Sequence, residues 1–184
     1  MRISDDRYHR ERERMELALR FLRHEARTQT IRVWTGLSDD RIRKLYRSYM
    51  SHARRHLPRH RGKSPQQISY FSRSLRLQED TVALATSLWL LGLLPGPGEA
   101  DAPGSPAVLM RGAELCTAFE AYRLARSAAL ISFEHAVFLL AVLSRGEQLR
   151  ISWCAGCGGL IVTEPCALRV RPCQHCAGLA SQRC

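Results

Sequence analysis

Apolar residues first recur at helical spacing around Met15, Leu19 and Leu22, which share one face with Phe21 nearby, and predict an amphipathic helix over Met15–Ala26. The following stretch, TQTIRVWTGLSDDRIRKLYRSYM (28–50), predicts a short helix over Thr28–Thr35, a break at Gly36, and a second helix starting after Ser38. The Ser38 hydroxyl suits an N-cap, and Asp39 and Asp40 suit the positive end of a helix dipole. In that second helix Ile42, Leu45 and Tyr46 point inward, while Arg41, Arg43, Lys44 and Arg47 turn elsewhere.

Residues 51–66 are basic, are broken by Pro58, Gly62 and Pro65, and read as a loop or extended arm. Leu75–Leu94 is strongly helical and apolar on every side from Val82 onward, so it belongs in a core or against a partner. PGPGEADAPGSP (95–106) cannot continue a helix and reads as a flexible connection. Val108, Leu115, Phe119 and Tyr122 mark the next helix; Ser132 caps the last, which runs through Phe138 and Leu143 and stops at Gly146. The period then changes to two, placing Leu149, Ile151 and Trp153 on one face of a short strand. The expected fold is mainly α: a helical body (1–147) with a helix-turn-helix-like N-terminal segment, and a small zinc-ribbon-like segment (148–184). Within the body, 1–66 reads as the DNA-facing part and 67–147 as partner-binding helices.

Charge sharpens this division. The formal net charge is +11, and residues 1–66 carry 18 Lys and Arg against 8 Asp and Glu, the remainder 10 against 9. An excess confined to the first third points to a polyanion facing that part, against the blander reading of a solvated surface that serves solubility. Residues 1–14 are almost uninterrupted charge, and the most apolar run, Val82–Leu94, is 13 residues long, short of the roughly 20 that a membrane span needs. The expectation is a soluble, cytoplasmic protein with no secretion signal, no membrane partner and, in a reducing compartment, thiols that hold metal rather than disulfides.

The cysteines carry the strongest chemical signal. CAGC (154–157) and CQHC (173–176) are separated by 15 residues, within the spacing of four-cysteine zinc sites. Two intervening residues let a tight turn bring both thiolates of a pair to one ion, and Gly156, Gly158 and Gly159 permit the positive-φ turns of such a knuckle. Cys154, Cys157, Cys173 and Cys176 are therefore assigned as ligands of one structural Zn2+ per chain. With all positions filled by thiolate there is no open place for water, and binding should contribute on the order of 10 kcal/mol to folding the segment. A dithiol redox centre and an iron–sulfur cluster are rival readings, and Cys166, His175 and Cys184 are further donors able to replace a ligand. Cys116 reads as a core residue.

The second signal is the helix–turn–helix spacing of residues 28–47, which would set Arg41, Arg43, Lys44 and Arg47 toward phosphates and base edges. An ordinary helical hairpin is the alternative. DNA contacts would then come from Arg54, Arg55, Arg59, Arg61 and Lys63, or from Arg169 and Arg171 near the zinc site. No phosphate-binding glycine loop, His-Glu-x-x-His or nucleophile elbow is present, which argues against an enzyme and a small-molecule substrate. His135 reads as a packed histidine, and His9, His24, His52, His56 and His60 as surface residues.

The runs LSDDRIRKLYRSY, SLWLLGLL, TAFEAYRLAR and ISWCAGCGGLIVTEP, followed by CQHC, resemble the FlhC family, zinc-containing subunits of the flagellar master transcription activator. The similarity covers about residues 15–178. It implies a bacterial activator of flagellar genes that binds promoter DNA as a hetero-oligomer with an FlhD-type subunit and helps recruit RNA polymerase. The family's zinc cysteines fall on Cys154, Cys157, Cys173 and Cys176, and part of the apolar middle becomes partner surface. A zinc-stabilised protein-interaction adaptor without DNA binding is the alternative function.

Overall fold

Leu17, Ala18, Phe21 and Leu22 recur at helical spacing and are all buried, which seats one face of helix α1 (Arg2–Arg23) on the core. The computed structural model in which these elements are seen describes residues 2–50, 60, 62–94, 102–165, 173 and 175–177. The helix starts well before the predicted Met15, in a stretch whose Arg and Glu residues favour helix without any apolar stripe. Met15 and Leu19, expected inside, are half-buried. The helix ends at Arg23 rather than Ala26. Glu25 takes φ 61°, Ala26 N–H donates to Phe21 O and Glu25 N–H to Leu22 O, closing the left-handed stop usually made by glycine.

Helix α2 (Thr28–Thr35) and helix α3 (Asp39–Leu45) lie where predicted, joined by residues 36–38, with α3 running on into a π turn (Tyr46–Met50). Ser38 occupies the N-cap of α3, but its hydroxyl makes no capping bond, a departure from the expectation. Ile42 is buried and Leu45 and Tyr46 are half-buried.

A 3-10 turn (Ile68–Ser72) places Phe71 in the core and leads to helix α4 (Leu75–Leu90), whose N-cap Ser74 accepts from Leu77 N–H. This helix stops four residues short of the predicted Leu94. Gly92 turns the chain at φ 70°, and Leu93 and Leu94 fold back to be buried. Helix α5 (Pro106–Ala125) starts with proline behind the Ser105 cap, and helix α6 (Phe133–Arg145) runs from Ser132 to Gly146 as predicted. A Cβ at Gly112 of α5 would sit 2.7 Å from Leu17 and 3.1 Å from Trp34, so a bare backbone lets α5 close onto α1 and α2. The centre holds Phe21, Phe119 and Phe133, with Phe21 and Phe119 edge-on to Phe133 at 4.9 and 5.2 Å.

Strands β1 (Arg150–Trp153) and β2 (Leu160–Thr163) form an antiparallel pair with Arg150 opposite Thr163 and Trp153 opposite Leu160. Strand β2 packs on α4 through this small sheet, and Trp153 meets Trp89 edge-on at 5.4 Å. The protein is thus mainly helical, with Cys154 following directly on one strand of a two-stranded sheet. Among the described residues no helix is long and apolar enough to cross a membrane.

One polar node ties the helices. Buried Asp80 of α4 accepts from the Tyr122 hydroxyl at 2.7 Å, Arg126 Nε at 2.8 Å and Leu130 N–H at 2.7 Å, while the Tyr122 hydroxyl accepts from Ile131 N–H. Burial pushes the Asp80 carboxyl up, but the Leu130 amide, Tyr122 and Arg126 outweigh it and hold the group below its ordinary range. The charged form is therefore favoured by folding, and its contribution is present above about pH 4 and lost as pH falls through the folded value. Tyr122→Phe should lower the unfolding free energy by about 1.5–3 kcal/mol at neutral pH. The deficit should shrink near pH 3 in urea titrations followed by circular dichroism. An equal loss at both pH values would contradict the role given to the Asp80 charge.

Candidate metal centre and basic face

Strand β1 delivers Cys154 directly from Trp153, and β2 leaves the same turn at Leu160. Cys154 N–H donates to Gly159 O and Gly158 N–H to Cys154 O, both at 2.8 Å, which closes a tight loop around Cys157. Of the three glycines expected to supply positive φ, Gly158 does so at 67°. Gly156 and Gly159 instead supply room: a Cβ at Gly156 would lie 3.0 Å from Cys176 Sγ, and one at Gly159 3.3 Å from Cys157 Sγ. The spacing hinted at glycine here, but not at this use of it.

The sulfurs of Cys154, Cys157, Cys173 and Cys176 all lie within 4.8 Å of one another, and these cysteines are free thiols. Cys157 Sγ and Cys173 Sγ stand 3.5 Å apart, far beyond a disulfide bond of about 2.05 Å. A tetrahedral ion with sulfurs at about 2.3 Å requires sulfur–sulfur separations of about 3.8 Å, so the set can hold a metal ion. Backbone amides point into it. Cys173 N–H donates to Cys154 Sγ at 3.2 Å and Cys176 N–H to Cys173 Sγ at 3.4 Å. The amides of Cys173, Cys157 and Gly156 bring the Cys154 thiol down to about 6, while donating its own S–H to the Cys173 and Cys157 sulfurs pushes Cys176 up to about 12. His175, one of the further donors considered, is exposed and is not one of the converging ligands. Cys166 and Cys184 lie outside the described residues.

The basic residues divide differently. Arg41, Arg43, Lys44 and Arg47 are all exposed along α3 and its π turn. Arg43 Nη1 pairs with Asp40 at 3.0 Å, Arg32 Nη1 lies 3.9 Å from Asp39, and Arg41 pairs with Glu11 of α1. The acidic pair that opens α3 is thus matched by arginines. Exposed pairs of this kind are worth at most about 1 kcal/mol, so a phosphate can displace the carboxylates. Lys63 is exposed, whereas Arg54, Arg55, Arg59, Arg61, Arg169 and Arg171 lie outside the described residues.

Histidines sort by contact. His135 is half-buried, stacks on Tyr70 at 3.9 Å and shares a 2.7 Å hydrogen bond between Nδ1 and Ser132 Oγ; that hydroxyl also caps α6, so the pair serves the helix start. His24 departs from its expected surface place. It stacks on Phe133, bonds Glu120 at 2.8 Å, and burial lowers its pKa despite that carboxylate. Residues His52 and His56 lie outside the described residues; His9 is exposed, and His60 is an exposed partner of Glu25. Cys116 is buried, and desolvation pushes its thiol up to about 12, as a core cysteine requires.

Fold and site together define a mainly helical protein whose C-terminal segment gathers four cysteines suited to a metal ion. No protein-family model matches the chain, and no curated protein matches it.

Gly156→Ala should leave the helical circular dichroism signal intact but weaken metal retention about tenfold in chelator competition, the order expected when a ligand's support is disturbed. Unchanged competition would show that the room beside Cys176 is not needed.

Proposed function

We propose that the protein is a DNA-binding transcription activator, stabilised by one structural Zn2+, that works as a hetero-oligomer with a second subunit. The observation that carries the reading is the convergence of four cysteine sulfurs at single-ion spacing, in the segment that most resembles the FlhC family. Four thiolates with tetrahedral separations suit zinc. A multi-iron cluster would need its sulfurs further apart than one ion does. All-sulfur ligation leaves no place for a reacting water, so the ion serves folding, in a zinc-ribbon-like segment.

DNA binding is assigned to the α2–α3 pair, acting as a helix-turn-helix, with Arg41, Arg43, Lys44 and Arg47 toward the duplex and Arg54, Arg55, Arg59, Arg61 and Lys63 as further phosphate contacts. The resemblance supplies the finer terms: flagellar promoters as targets, an FlhD-type subunit as partner, RNA polymerase recruited, and a cytoplasmic, non-enzymatic role. A partner also suits the uncovered apolar residues where α4 meets the sheet, with Trp89 42%, Leu90 69% and Trp153 51% exposed. That ridge equally favours a second reading, an adaptor that binds its partner without touching DNA.

Footprinting of the complex separates the two. An activator protects a promoter segment, and its affinity falls with salt by about 0.9 log unit per log unit for each phosphate neutralised. Complex formation with no footprint would leave the adaptor reading, and salt-insensitive binding would remove the phosphate contacts.

A further inference from the structure

Glu134 lies in the first turn of α6, is 6% exposed, and spends its carboxylate on the distant N-terminal part of the chain. Arg27 N–H donates to Oε1 at 2.8 Å, and the hydroxyls of Thr30 and Ser64 donate to Oε2 at 3.0 and 3.1 Å. Arg27 Nε stands 3.7 Å from Oε2. A carboxylate so buried is tolerated because both oxygens are bonded and a guanidinium lies beside it.

These bonds have a geometric consequence. Helix α2 cannot cap itself, because its N-cap residue is Arg27, whose side chain has no acceptor. Glu134, from another helix, instead takes the amide of that N-cap residue and the Thr30 hydroxyl of the first turn, a carboxylate at the positive end of the α2 dipole. Residues 36–38 join α2 to α3 and Arg32 lies 3.9 Å from Asp39, so holding the start of α2 helps orient the exposed row Arg41, Arg43, Lys44 and Arg47. The bond to Ser64 brings the neighbouring, exposed Lys63 to the same anchor.

We propose that Glu134 is a positioning residue for polyanion binding, locking the α2–α3 pair and the Lys63 segment to α6 so that they meet a duplex as one preformed surface. This rests on the DNA-binding reading above. Preformation matters because groups ordered only on binding spend affinity on that ordering.

The sign of one substitution tests it. Glu134→Gln removes a negative charge, so charge alone predicts tighter binding to DNA. Positioning predicts the opposite, binding about three- to tenfold weaker, the size of one ordinary hydrogen bond. The salt slope should not change, because the same phosphates are met. The assay uses the zinc-loaded full chain with its partner subunit, a short duplex and fluorescence anisotropy, with hydrogen exchange at the Arg27 amide expected to quicken. Equal or tighter binding by Glu134→Gln overturns the proposal. Should that variant fail to fold, Ser64→Ala removes one bond and should weaken binding about two- to threefold at unchanged slope; unaltered affinity there overturns it as well. A complex with unsubstituted chain that binds no duplex sinks the DNA reading and this inference together, whereas binding that neither variant weakens sinks the inference alone.

Discussion

Among the described residues, the cysteine segment converges on four sulfur atoms that share a volume fit for one ion. The two strands there are four residues each and bury little beyond Leu160 and Ile161. An isolated hairpin of that size is marginal in water. Amides aimed at Cys154 and Cys173, and the bare backbone at Gly156, bring the thiols together. Thiolates packed so closely would repel one another, so a cation bound among them would stabilise this geometry.

Helix α6 connects that end to the basic one. Its first turn carries Glu134, bonded to the start of α2, and its last turn leads through Gly146 into β1 and Cys154. At 13 residues it is about 20 Å long. Beside it, the Asp80–Tyr122–Arg126 node fixes α4 to α5 and to the loop before α6. Both polar anchors therefore sit at or just before the start of Phe133–Arg145. In the proposed activator, DNA would lie against one end of a rigid helical body while zinc organised the other.

Much of this was legible from residue order because it is local. Ser132 and Gly146 bracket α6, and the Gly36 break separates α2 from α3, since caps and stops act over one turn. The cysteine spacing likewise specifies a short-range knuckle. What escaped was set by distance or by a missing signal. No apolar stripe marks the first half of α1, and its stop falls on Glu25, which carries none of glycine's usual warning. The Leu75–Leu90 helix looked longer because Leu93 and Leu94 are apolar, yet they are buried after the turn, not within the helix. No motif marks Glu134 or Asp80, whose partners stand 70 to 107 and 42 to 50 positions away. His24 was placed at the surface by its charged neighbours, whereas tertiary packing puts it against Phe133. No pattern along one chain encodes such pairings.

X-ray absorption at the zinc edge of the purified full-length protein tests the central claim most directly. The account predicts one zinc per chain, with a first shell of four sulfurs at about 2.3 Å and no light-atom ligand. A shell containing nitrogen or oxygen, metal–metal scattering from a cluster, or folded chain free of zinc would contradict it.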